Sequence, residues 1–333
     1  MKTNKYTVCI GLVALLFVGV GITLWQLSPN STSHNSIKIS QDSWPGYIHS
    51  FVAQETGCFK EEGLDVELTL VEEVEDTINQ FKEGKSDALF GLQSDALMLA
   101  AEGVPLKIVY IADFSNGADV LIGTQGIKTI SDLKGKTVSV DLLNDVNHIL
   151  LIELLRMNGL AESDVNIIPV PARHVPQALA EGTIDAGQTW EPYQSQAMAS
   201  GNRVLASTRD VPGMVTDVLM FNSELVEKRL EDVRKFVKCL FHALKFRAAN
   251  ENEAYAIMSK ASNVSPGSLK RAIQGNIFPN LDENIRGFEK TGDTTSLFQT
   301  GQIISDFFIK KGVIEKPIDL ETIHASEIVK SLK

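Results

Sequence analysis

The chain is poor in the residues that metal and redox chemistry draw on. Its three cysteines, Cys9, Cys58 and Cys239, and its six histidines are scattered, with none of the short Cys/His spacings that hold zinc. No metal or cofactor is therefore expected. Buried thiols are the expected state of Cys58 and Cys239, with a disulfide between them in an oxidising compartment as the alternative that no spacing argument supports. Positive charge is also short: 31 Lys and Arg against 42 Asp and Glu leave a net charge of −11. A surface of that sign repels nucleic acid and anionic lipid headgroups, so nucleic acid is not expected as a partner. Apolar residues are not scarce. At 44% hydrophobic and 22% charged over 333 residues, the chain can build a real core and, at roughly 100–200 residues each, two domains.

Charge is missing altogether from Tyr6 to Leu27, 22 residues preceded by Lys2 and Lys5. Such a run is long enough to span a bilayer, which takes about 20 apolar residues, and exceeds the 7–15 of a signal-peptide core. No convincing A-x-A cleavage site follows, which favours residues 1–28 as a retained membrane anchor or uncleaved signal, with a cleaved signal and a secreted chain as the alternative. Cys9 precedes the run, whereas a lipid-modified cysteine would follow it. The flanking lysines place the rest of the chain outside the cytoplasmic membrane. Ser28 to Ser36, rich in Ser, Asn, Thr and Pro, reads as a tether, with residues 29–36 separating anchor from fold.

Beyond the tether, one pattern occurs twice. Glu83-Gly84-Lys85-Ser86-Asp87-Ala88 and Glu181-Gly182-Thr183-Ile184-Asp185-Ala186 share E-G-x-x-D-A. Each follows a helical stretch and precedes a short apolar strand, the glycine ending the helix in a left-handed conformation. Polar loops are expected after the two strands, Gln93-Ser94-Asp95 and Gln188-Thr189-Trp190-Glu191. In open α/β sheets ligands bind beyond the carboxyl ends of strands, which makes these loops candidate binding segments. Strands and helices alternate from Ile37 to Phe221, predicting an α/β fold with mostly parallel sheet. From Glu224 the pattern is helical. Trp44-Pro45-Gly46-Tyr47, at the exit of the first strand, can supply an aromatic pocket wall, with core filling by Trp44 as the alternative.

These stretches, with Gly57-Cys58-Phe59-Lys60-Glu61-Glu62-Gly63-Leu64-Asp65-Val66, Ile130-Ser131-Asp132-Leu133-Lys134-Gly135-Lys136 and Trp190-Glu191-Pro192-Tyr193, resemble the substrate-binding proteins of bacterial ABC importers. The resemblance is to the nitrate, sulfonate, taurine and thiamine-precursor (NMT1/THI5-like) group, and it runs from about Ile37 to the end. It implies a type II periplasmic-binding-protein fold, two α/β lobes joined by hinge strands that close over a ligand. Lobe one would be residues 37–117 plus 219–333, with the helical tail, and lobe two residues 118–218. The crossings would lie near Ala118 to Ile122 and Thr216 to Met220. A monomer is implied, delivering a small solute to a permease and its ATPase rather than catalysing a reaction. A ligand-sensing module and, less favoured, a thiamine-pyrimidine synthase-like enzyme are the alternatives, with His49 to be checked in the latter case.

The resemblance and loop position together nominate the site. Trp44 and Tyr47 form the wall, Gln93 and Ser94 contribute hydrogen bonds, and Asn144, Asp145, Gln188, Trp190 and Glu191 come from the second lobe. Ser115, Asp119 and Asp217 lie beside the hinges. The loops hold Asp42, Asp95, Asp119, Asp145, Glu191 and Asp217 but no Lys or Arg among the nominated positions. An anion would want basic groups and helix amino termini. Unpaired carboxylates around it would be costly. The expected ligand therefore carries an amine or is a polar heterocycle rather than a bare inorganic anion.

Overall fold

The computed structural model describes residues 36–333; the anchor, Cys9 and all of the tether but Ser36 lie outside the described residues. Among the described residues no helix is long and apolar enough to cross a membrane.

The strands in chain order are β1 (Ile37–Gln41), β2 (Val66–Leu70), β3 (Ala88–Leu92), β4 (Leu106–Ser115), β5 (Val120–Gly123), β6 (Thr137–Val140), β7 (Asn166–Pro169), β8 (Ala186–Thr189), β9 (Arg203–Ser207), β10 (Thr216–Asn222) and β11 (Asn276–Ile277). They form two sheets, ordered β11-β4-β10-β3-β1-β2 and β7-β6-β8-β5-β9. The helices between them are α1 (His49–Glu55), α2 (Cys58–Glu61), α3 (Val74–Lys82), α4 (Gln93–Ala101), α5 (Val146–Met157), α6 (Val175–Glu181) and α7 (Tyr193–Ala199).

The repeated motif has a physical reason. Gly84 and Gly182 carry φ of +69° and +72°, ending α3 and α6 where a Cβ would be strained. The motif aspartate then clamps the neighbouring parallel strand. Asp87 accepts from the backbone N–H of Lys38 at 2.8 Å and donates its own N–H to the Lys38 carbonyl at 2.8 Å. Asp185 does the same at Thr137, at 2.9 Å and 2.8 Å. Register between β3 and β1, and between β8 and β6, is fixed where each parallel pair begins.

The sheets are mixed rather than mostly parallel. β1 pairs in parallel with β2 and β3, and β6 with β7 and β8, but β10 runs antiparallel between β3 and β4, and β5 antiparallel between β8 and β9. The reversal arises because each of these strands enters its sheet from the other one, opposite to the βα units already there. The crossings also fall earlier than the expected Ala118 to Ile122 and Thr216 to Met220. The chain leaves the first sheet after Ser115 and returns at Thr216, so β5 and β10 each lie wholly in one sheet. Thr208 pins the two crossing segments: its hydroxyl meets Ser115 Oγ at 2.8 Å and accepts from Gly117 N–H at 2.6 Å, and its N–H donates to Asp119 O at 3.0 Å.

The tail is helical, with α8 (Ser223–Lys228), α9 (Leu230–Ala249), α10 (Glu251–Ser262), α11 (Pro266–Gln274), α12 (Leu281–Gly287), α13 (Leu297–Lys310), α14 (Leu320–Ile323) and α15 (Ser326–Lys330). It packs on the first sheet's layer: α9 against α1 and α2, α13 against α4, and α15 against β4. Val233, Phe236, Val237 and Leu240 line its buried face, with Phe236 stacked on Phe59 at 4.8 Å between centroids. Here the thiol expectation is corrected. Cys58 and Cys239 form a disulfide between α2 and α9, with their Cα atoms 5.7 Å apart, inside the range that the bond spans. Two positions 181 residues apart reveal nothing of this in sequence, because only the packing of α9 on α2 brings them together.

Candidate functional site

A cavity of about 40 Å³ lies where the carboxyl ends of β1, β3, β6 and β8 converge with the crossings. Its aromatic wall is Trp44 and Tyr47 from the exit of β1 and Trp190 from the exit of β8. Trp44 meets Trp190 edge to face, with centroids 5.8 Å apart. Tyr47 stacks on Phe90 at 5.2 Å and donates its hydroxyl to Asp217 Oδ1. Trp44 Nε1 donates to Asp113 Oδ2 at 3.0 Å, so this ring both fills space and holds a buried carboxyl. Gly46 is required between the two aromatics by close approach, since a Cβ there would sit 1.7 Å from Asp113 Oδ2.

Half of the remaining lining is acid, Asp42, Asp95, Asp119, Asp141, Asp145 and Asp217, and the other half is Asn147 with the apolar or small Val74, Gly91, Leu92, Leu142 and Val215. Among the described residues no Lys, Arg or His lines it. Burial pushes these carboxyls up, with mutual repulsion adding to it. Asp42, Asp119 and Asp141 rise to about 6 and Asp95 to about 7, while Asp145 and Asp217 rise well above the ordinary range. Asp113 also rises, through burial and the charge of Asp119. Four of the six lining carboxyls satisfy backbone donors. Asp42 accepts from Trp44 N–H at 2.6 Å, Asp95 from Leu92 at 2.9 Å, Asp141 from Ala172 at 2.7 Å, and Asp145 from His148 at 2.9 Å. Asp119 Oδ2 is buried with no hydrogen-bond partner, whereas the buried carboxyls of Asp113 and Asp217 are hydrogen-bonded to each other.

Of the nominated residues, Trp44, Tyr47, Asp119, Asp145, Trp190 and Asp217 line the cavity. The others are placed elsewhere. No polar loop separates β3 from α4, so Gln93 starts the helix and turns into the tail, donating to Leu297 O at 2.6 Å and accepting from Thr300 Oγ1 at 2.6 Å. Ser94 is buried beside it, outside the cavity wall. Ser115 serves the crossing. Asn144 has a φ of +66°, and its N–H reaches His148 Nδ1 at 3.2 Å. Gln188 lies within β8, not in a loop, and donates to Asn147 O at 2.9 Å. Glu191 accepts from Ser195 Oγ at 2.7 Å and from Arg271 Nε at 3.0 Å, joining the β8 exit to α11. Asp141, first residue after β6, was missed among the nominated residues, although its position at a strand's carboxyl end marked it. Asp113 was missed because it lies within a long buried strand. His49 lies apart from the cavity wall, its Nδ1 3.3 Å from Gly46 O and its ring against Phe278, and burial lowers it to about 3.

The chain is similar to several known proteins. A protein of Brucella abortus named as a binding protein is 25% identical over 283 residues, covering 84% of this chain and 86% of the relative. The 4-amino-5-hydroxymethyl-2-methylpyrimidine phosphate synthase of Saccharomyces cerevisiae, an enzyme, is 25% identical over 243 residues, 68% of this chain and 70% of the relative. Among solved structures, the ligand-binding component of an ABC-type import system from Staphylococcus aureus superposes with a TM-score of 0.75 at 16% identity, covering 90% of this chain and 99% of the other. That identity speaks for the fold alone: two sheets with crossing connections, the type II periplasmic-binding-protein architecture. The model of the NMT1/THI5-like family matches residues 44–254, and the chain belongs to that family.

Proposed function

We propose that this chain is the extracytoplasmic solute-binding component of an ABC importer. It captures a small polar organic solute between lobe one (residues 37–117 and 216–333) and lobe two (residues 118–215), and delivers it to a membrane permease and its ATPase. The observation that carries the reading is the cavity itself. It is closed by Trp44 from one sheet against Trp190 from the other, at the strand ends where α/β folds bind ligands. The disulfide supports an oxidising, extracytoplasmic compartment. Residues 1–28 would hold the chain at the membrane's outer face as a monomer.

The yeast synthase favours a second reading, an enzyme of thiamine-pyrimidine type. The position of His49 away from the cavity and its lowered proton affinity weigh against it. Native mass spectrometry of the protein purified from its own host tests the binding reading. A small organic solute released intact on unfolding is expected; a chemically altered product accumulating under turnover would favour the enzyme.

A further inference from the structure

Resting on the two-lobe binding reading, we propose that Arg173, Arg271 and Lys311 are positioning residues that hold the lobes together by ion pairs across the cleft, so that closure depends on ionic strength as well as on solute. Opposite charges meet between the lobes at three places. Arg173 of lobe two pairs with Glu72 at 3.0 Å and with the neighbouring Glu73, both of lobe one. Arg271 Nε of lobe one reaches Glu191 of lobe two at 3.0 Å, and Lys311 of lobe one pairs with Glu162 of lobe two. The Arg173 pairs lie just beyond β2 and β7, the outermost strands of their sheets, each three strands away from β10 and β5, which the crossings enter. An attraction so far from the hinge has a long lever against opening.

Each of these places is also tied to the cavity wall. Arg173 follows Ala172, whose N–H donates to the lining Asp141 at 2.7 Å, and Glu73 precedes the lining Val74. Glu191 follows the lining Trp190. Glu162 also meets His148 Nε2 at 3.1 Å, and the backbone N–H of that histidine donates to the lining Asp145 at 2.9 Å. Opening the cleft therefore parts the charges and moves the wall in one step. The side chain of Glu191 is only 7% exposed, and those of Lys311 and Arg173 are 23% and 34% exposed, so water screens these pairs less than it does a pair on the open surface. An exposed pair shifts an equilibrium by about 1.5- to 5-fold, and three separated places multiply to roughly 3- to 100-fold. That raises the share of closed protein before solute arrives and leaves the solute to complete closure.

The test reads the two cavity tryptophans. Trp25→Phe is introduced into every protein, so that only Trp44 and Trp190, which meet across the lobes, emit. The full chain is stripped of solute by unfolding and refolding. Quenching of its emission by acrylamide is then measured at about 20 mM and about 500 mM NaCl, where charges are screened beyond about 20 Å and about 4 Å. Salt weakens the ion pairs but not the apolar contact between the rings. At low salt, Arg173→Gln/Arg271→Gln/Lys311→Gln is expected to raise the quenching constant at least about twofold over the parent. Added salt should bring the parent towards that value and leave the glutamine variant unchanged. Arg173→Lys/Arg271→Lys/Lys311→Arg, which keeps the charges, should stay nearer the parent and keep its salt response. Lys82→Gln/Lys134→Gln/Arg156→Gln removes as much charge from pairs within one lobe and should behave as the parent does. Circular dichroism confirms that each variant is folded, and the three double glutamine variants are read if the triple one is not. A folded glutamine variant that quenches like the parent at both salt concentrations overturns the proposal, as does a within-lobe control that rises equally far. Either result leaves the solute-binding reading to be decided by the copurified solute.

Discussion

Trp44 and Trp190 come from loops on different sheets, yet their rings meet edge to face at 5.8 Å with an interplanar angle of 87°. An aromatic pair of this kind is worth about 0.5–1.5 kcal/mol beyond its buried area. That is too little to hold a protein together and enough to bias a hinge. Trp190 is only partly buried, so its larger role is expected in the bound state. Trp190→Ala should lower solute affinity by at least about a hundredfold, while the melting temperature of the ligand-free protein falls by no more than about 2–4 °C. Titration and thermal melting on the same preparation check both. A large drop in melting temperature would mark Trp190 as core.

The cavity carboxyls also make a statement about stability. Burial raises Asp119 to about 6 from an ordinary 3.8, so the folded state holds its proton where the unfolded chain has released it. Stability from this group is present below about pH 4 and is lost as pH rises to about 6. Asp119→Asn, which cannot ionise, should therefore stabilise the ligand-free protein by about 1–3 kcal/mol at pH 8, shrinking towards zero near pH 4. Urea unfolding of both proteins at the two pH values measures this. A variant destabilised at pH 8 would contradict it.

Gly46 has no positive φ to explain it, but a Cβ there would collide with the Asp113 carboxylate that Trp44 Nε1 holds. Gly46→Ala should push that carboxylate away and release the Trp44 ring. Solute affinity should fall at least about tenfold, with a loss of about 1–3 kcal/mol of stability, in the range for overpacking. Titration and tryptophan fluorescence would register the change; unaltered emission would contradict the packing described.

The Cys58–Cys239 bond ties α2 to α9 and closes a loop of well over a hundred residues. Replacing both cysteines by serine, or reducing the wild type, should cost about 2–5 kcal/mol. The reduced wild type and the double variant should unfold at the same urea concentration. Equal midpoints for oxidised and reduced wild type would contradict a formed disulfide.

Much of this was legible in the sequence for reasons now visible. E-G-x-x-D-A marked the helix stops correctly, and its aspartates turn out to clamp Lys38 and Thr137, a function that no propensity encodes. Trp44, Tyr47, Trp190 and the acidic strand exits reached the cavity because loop position at a strand's carboxyl end largely decides what a ligand can touch. Gln93 did not, because β3 runs directly into α4 and its side chain faces α13, which is some two hundred residues away in the chain. Gln188, expected in a loop, lies inside β8, and its side chain turns to the Asn147 carbonyl. The antiparallel placement of β5 and β10 and the Cys58–Cys239 bond depend on where the chain crosses between sheets and how the tail folds back. Local patterns carry neither.

The central claim is that two lobes close on a solute. Small-angle X-ray scattering of the full chain, first stripped of solute by unfolding and refolding and then given the copurified solute, measures it directly. A smaller radius of gyration with solute than without is expected. An identical radius in both conditions, with binding confirmed by titration, would contradict it.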